Sequence, residues 1–127
     1  LWHTLSLHDA LPISLAMGLL TGKYTAKSIL PANDVRGPKA PSWMRYFKNG
    51  RPNPELLEML DAVREILRSE GRTLAQGALA WLWGRTPTTI PIPGIKTTDQ
   101  VIENAGAMNK GPLRPDQIAE IDRILGR

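Results

Sequence analysis

No cysteine occurs among the 127 residues of this chain, so disulfide staples and thiolate metal sites are excluded, and a reducing compartment, the cytoplasm, is the expected location. Long apolar runs are missing as well. The densest stretch, Leu74 to Trp83, is interrupted by Gln76 and Gly77 and falls short of the roughly 18 residues of a membrane span, so no membrane partner is expected. The first residues carry no basic segment ahead of an apolar one, and no secretory leader is expected there. Aromatic residues amount to only 6%, with a single Phe.

What is present fits a globular domain: 42% hydrophobic and 22% charged residues, over a length that suits one domain. The formal charge is +4, but Lys23, Arg36, Arg64, Lys96 and Arg123 are scattered along the chain rather than gathered on one face. Nucleic acid is therefore not the expected partner, and a small basic nucleic-acid-binding domain is the weakest alternative. A modest positive excess suits an anionic small ligand equally well.

Residues 1 to 14 share no periodicity with the rest of the chain, because His3, His8, Asp9 and Pro12 break any apolar pattern. From Leu15 to Tyr24 the text reads as a strand end running into a glycine-punctuated loop. The stretch from Thr25 to Asn53 is rich in proline and too long for a plain connector. Within it, Trp43, Arg45, Tyr46, Phe47 and Lys48 read either as a ligand cover or as a short helical turn packed on the fold. Asn53 before Pro54 is a helix start, Leu56 to Leu67 keep helical spacing, and Gly71 ends the run. Thr73 with Gln76 forms a capping box for a second, mostly buried helix carrying Trp81 and Trp83. Thr88 to Ile92 is expected to be a short buried strand, with Pro91 an awkward member. Thr97 with Gln100 predicts another capping box, with Val101, Ile102, Ala105 and Met108 as the inner stripe of its helix. A last helix starts near Pro115, where Leu113 and Ile118 can staple its beginning, and packs Ile118, Ile121, Ile124 and Leu125 inward. Strand, helices, strand, helices is the order of parallel β/α units, although only about two short strands are visible.

The segment from Ile90 to Asn104 carries the most chemistry. A glycine turn runs into a capped helix start, which offers unpaired N–H groups and partial positive charge, and Lys96 adds a full charge. Lys96 reads either as a phosphate ligand or as a solvated first-turn lysine; helix-end electrostatics disfavour a cation there unless an anion accompanies it. Gln100, Glu103 and Asn104 stand at i, i+3 and i+4 and are expected on one helix face. The run from Gly18 through Gly22 to Lys23 is not a P-loop, since three residues rather than four separate the glycines and Tyr24 follows the lysine. His3 and His8 have only Asp9 nearby, and no metal site is expected.

The segments LAMGLLTGKY and IPIPGIKTTDQVIEN, in that order, together resemble the aldo/keto reductase family over Leu15 to about Leu125. The resemblance implies an α/β fold, the C-terminal fragment of a (β/α)8 TIM barrel from the end of strand seven onward. It implies NADP as cofactor and a small aldehyde or ketone as substrate. Matched residue by residue, Leu15, Ala16, Met17 and Lys23 would lie along the cofactor pyrophosphate and ribose. Lys96, after Gly94, would face the 2′-phosphate, and Gln100, Glu103 and Asn104 would hold the adenine end. The family's catalytic Tyr, Lys, Asp and His belong to earlier strands; neither Tyr24 nor Tyr46 matches them, so no catalytic residue is assigned.

Residues 15 to 127 are thus expected to be the cofactor-binding C-terminal part of an oxidoreductase, inactive by itself. The alternative is a non-enzymatic NADP-binding regulatory module of the same family. The family would place Tyr-Ser-Pro before Leu15, where this chain has Pro12-Ile13-Ser14. Because LHDALPIS resembles translated adapter sequence, residues 1 to 14 are expected to be non-native.

Overall fold

A computed structural model of the chain describes residues 14–86 and 88–127. His3, His8 and the rest of the unpatterned N-terminal stretch except Ser14 lie outside the described residues.

Four helices form where the capping chemistry places them. The Asn53 side chain accepts the Glu55 N–H at 3.1 Å and opens α1, Pro54–Leu67. The Thr73 and Gln76 side chains cap each other's backbone N–H at 3.2 and 3.1 Å, opening α2, Leu74–Arg85. Thr97 Oγ1 accepts the Gln100 N–H at 3.3 Å at the start of α3, Thr98–Lys110. The reciprocal bond comes from one residue earlier than the sequence predicts: Gln100 Oε1 accepts the N–H of Lys96, at 2.7 Å. The fourth helix, α4, spans Pro115–Ile124, and Gln117 Oε1 accepts the Arg114 N–H at 3.0 Å.

Two apolar clusters hold these elements. In the first, Leu60, Val63 and Leu67 of α1 meet Leu74 and Ala80 of α2, Leu113, and Ile121 of α4, with Ile118, Ile124 and Leu125 packed around them as their spacing predicts. α2 is the hub, touching α1, α3 and α4. Trp81 and Trp83, expected in the core, are half-buried. In the second cluster, Ala16 and Leu19 meet Leu30, Met44 and Phe47 of the long loop. That loop is folded back by a hairpin in which β1, Phe47–Lys48, pairs antiparallel with β2, Arg51–Pro52. Asn49 and Gly50 between them both have positive φ, 53° and 73°, which matches the twist of a two-residue hairpin turn. The helical turn expected over this stretch is not formed, since Phe47 and Lys48 belong to the hairpin; Phe47 is buried and Tyr46 half-buried, while Trp43 stays exposed.

Four expectations need correction. The two parallel strands are absent among the described residues, where the paired strands are the antiparallel β1 and β2. Thr88 to Ile92 has no ladder and is not buried; Ile90 is 79% exposed. Pro91 and Pro93 donate no N–H, and a parallel strand also needs neighbours that the described residues do not supply. From Leu15 the chain enters a 3₁₀ segment, Ala16–Thr21, instead of ending a strand. Left-handed backbone at Met17 and Gly18 ends any extension, and Gly18 N–H donates back to the Leu15 carbonyl at 2.9 Å. Lastly, Val101, Ile102, Ala105 and Met108 of α3 face outward, and Ala107 is the buried position. Small residues at Gly106 and Ala107 let α3 approach α2, so the contact selects size over the larger apolar side chains.

Candidate functional site

Local geometry in the 3₁₀ segment is unusual for its residue types. Ala16 and Met17 have φ of 48° and 55°, and Gly18 follows at 90°. Non-glycine residues adopt such angles where surrounding contacts over-determine them. Here the contact is Arg36, from the middle of the long loop. Its Nη1 donates to the Met17 carbonyl at 2.9 Å and to Tyr24 Oη at 2.6 Å. Its Nε and Nη2 grip both oxygens of Asp34, at 2.8 and 2.7 Å. The Tyr24 ring meets Phe47 edge-on with centroids 5.2 Å apart, and the guanidinium carbon lies 5.4 Å from each ring centre.

Hydrogen bonds from the Arg36 side chain and backbone hold the Asp34 carboxyl well below the usual carboxylate range, and Lys96 adds a weaker electrostatic pull. Lys96 therefore lies within electrostatic reach of the loop beside Met17. The early and late segments touch where Ser14 Oγ accepts the Ile92 N–H at 3.3 Å, across 78 positions of sequence. Both expected cationic contacts, Lys23 and Lys96, are exposed, and Lys23 Nζ stands 4.9 Å from the Tyr24 ring centre.

At the late segment, nothing lies within 4 Å of where a Cβ on Gly94 would stand, so that turn is open to a ligand. Thr97 satisfies the Gln100 N–H, leaving the earlier first-turn N–H groups of α3 to solvent or an anion. The three polar residues of α3 do not share one environment. Gln100 spends its side-chain carbonyl on the Lys96 N–H. Glu103 lines a groove between α2 and α3 with Thr73, Gln76, Asp99, Ile102 and Lys110, and its own carbonyl accepts from Gln76 Nε2 at 2.9 Å. Asn104 is half-buried and outside that groove. Leu15 is half-buried and Ala16 buried.

Sequence reasoning missed Arg36 and Asp34. Asp34-Val-Arg36 has the i, i+2 spacing of a local ion pair, but the bond to Met17 spans 19 residues and leaves no local signal. No group of three metal-ligating side chains occurs among the described residues. Nor is any described helix long and apolar enough to cross a membrane.

Comparison with known proteins gives the class. The aldo/keto reductase family profile matches residues 13–126, and the chain belongs to that family. The family implies a TIM barrel. The Schizosaccharomyces pombe Aldo-keto reductase yakc, whose name specifies NADP(+), is 33% identical over 96 residues, 74% of this chain and 26% of its own length. The chloroplastic Pyridoxal reductase of Arabidopsis thaliana is 36% identical over 94 residues, 74% of this chain and 22% of its own. The L-glyceraldehyde 3-phosphate reductase of Escherichia coli O157:H7 is 30% identical over 111 residues, 87% of this chain and 31% of its own. The chain thus spans under a third of the length of these relatives. No solved structure matches it.

Proposed function

We propose that residues 15 to 127 form the C-terminal, cofactor-binding portion of an NADP-dependent aldo/keto reductase, from the end of barrel strand seven onward. The hydrogen bond from the Ile92 N–H to Ser14 Oγ carries this reading, since it joins the segment that leads to Gly94 and Lys96 to the start of the strained Met17 loop. Lys96 holds the 2′-phosphate, beside the open turn at Gly94 and the start of α3. The backbone of Leu15, Ala16 and Met17, with Lys23, lies along the pyrophosphate and ribose. Gln100 reaches the adenine end with its free amide, and Glu103 and Asn104 flank it.

When bound, NADPH supplies a hydride to a carbonyl carbon of a small aldehyde or ketone. The chain's own residues bind and orient the cofactor. The Tyr, Lys, Asp and His set that the family uses for the proton has no match in the sequence, so the chain by itself binds without reducing.

Titration of the chain with NADPH and NADH tests the assignment. Lys96→Ala is expected to weaken NADPH by on the order of 1–3 kcal/mol, the worth of a charge-assisted contact, and to leave NADH nearly unchanged. Equal weakening of both would remove Lys96 from the 2′-phosphate.

A further inference from the structure

Arg36 has no place in the cofactor contacts above, yet it makes the most extensive side-chain network near them. Nη1 holds the Met17 carbonyl at 2.9 Å and Tyr24 Oη at 2.6 Å, while Nε and Nη2 are forked onto Asp34. A guanidinium has five N–H donors, and four are committed here. Its side chain is only 16% exposed and lies against two aromatic rings. A group so engaged has little left to give a ligand. What it does hold is the carbonyl of the one non-glycine residue at the centre of the left-handed run, Met17.

We propose that Arg36 is a positioning residue: by gripping the Met17 carbonyl it fixes the left-handed backbone from Ala16 to Gly18 in the shape that lies along a dinucleotide pyrophosphate. The inference rests on the cofactor reading above. Asp34 sets the guanidinium plane through two parallel bonds, and the Tyr24 and Phe47 rings, each 5.4 Å from the guanidinium carbon, confine it. Lys can fill this role only in part, because an ammonium cannot hold the Asp34 fork and the Met17 carbonyl in one plane. The pyrophosphate is common to NADPH and NADH, so this role is blind to the 2′-phosphate, in contrast to that of Lys96.

The contrast makes the test. NADPH and NADH are titrated into the wild-type chain, Arg36→Ala, Arg36→Lys and Lys96→Ala, with melting followed for each. The left-handed state of Met17 is read from its intraresidue amide-to-α-proton NOE, which is strong at positive φ. Arg36→Ala is expected to weaken both cofactors by the same factor, about tenfold or more, with loss of the Met17 NOE. Arg36→Lys, the variant that keeps the charge, is expected to stay folded and to recover part of the affinity for both. If Arg36→Ala unfolds, Arg36→Lys decides: an affinity equal to wild type with the NOE lost overturns the proposal. Wild-type affinities in folded Arg36 variants, alongside a selective NADPH loss in Lys96→Ala, would overturn the positioning role and leave the cofactor reading standing. Loss of NADPH alone in the Arg36 variants would make Arg36 a phosphate ligand and also overturn it. Failure of the wild-type chain to bind either cofactor would remove the cofactor reading, and this inference with it.

Discussion

The side-chain amide of Gln76 donates to the main-chain carbonyl of Glu103 at 2.9 Å, so the residue that caps α2 also moors α3. Its carbonyl oxygen is already engaged with the Thr73 N–H at 3.1 Å. Each end of one amide serves a different helix. Gln76→Glu keeps the capping acceptor and replaces the donor with an oxygen facing the Glu103 carbonyl. It is expected to destabilise the chain by on the order of 1–3 kcal/mol, the cost of an unpaired, partly buried polar group, despite leaving the cap intact. Denaturant melts of Gln76→Glu beside wild type check this, and an unchanged midpoint would show that α3 is held without the amide.

Gly77, the next residue along, stands where α2 crosses the end of α1. A Cβ there would collide with the Leu67 backbone carbonyl, which has no flexible end to move aside. In an exposed helix, Gly→Ala stabilises by about 1 kcal/mol. Here Gly77→Ala is expected to cost about 1–3 kcal/mol through overpacking. Gly94→Ala serves as the control, because nothing lies within 4 Å of the added methyl, and a change under about 0.5 kcal/mol is expected. Thermal unfolding of the two variants should separate them, and a stabilised Gly77→Ala would refute the close crossing.

Acid should loosen the loop that carries Met17. Asp34 titrates below its unfolded value, first because the Arg36 side chain bonds to it, next through the Arg36 backbone. The stabilisation from ionised Asp34 is therefore complete above the ordinary carboxylate value of about 3.9 and fades as pH falls below it, toward the folded-state value. Asp34→Asn lacks this dependence. At neutral pH it is expected to be the less stable protein, and the gap should narrow once pH drops below about 4. Near-UV dichroism of the Tyr24 and Phe47 pair across an acid titration reads the change. A gap that stays constant from neutral to acid pH would exclude the Arg36–Asp34 pair as its source.

How far the site could be read from sequence differs between its two halves. Around Lys96, turn, cap and helix succeed each other within a few residues, and the residues that create the anion-accepting geometry are neighbours in the text. Around Met17 the determinants are Arg36, Tyr24 and Phe47, and no local rule predicts positive φ at Ala16 or Met17. Asn49-Gly50, by contrast, is a local hairpin signal, legible without any distant partner. The polar face of α3 is legible as spacing, but whether Glu103 or Asn104 meets α2 depends on how α3 sits against it.

Local sequence was enough to set the four helices, the caps of α1 and α2 and the inward rows of α1 and α4, because these depend on contacts among residues a few positions apart. Packing in three dimensions settled whatever required a partner from far along the chain. Ile90 to Ile92 has an apolar strand-like text but no ladder partner among the described residues, and the Ile92 N–H goes instead to Ser14 Oγ. The larger apolar side chains of α3 were displaced from the contact with α2 by Gly106 and Ala107, since closeness of approach outweighed the size of any one side chain. The left-handed loop at Met17 exists because a guanidinium 19 residues away holds its carbonyl, a relation that only packing could bring about.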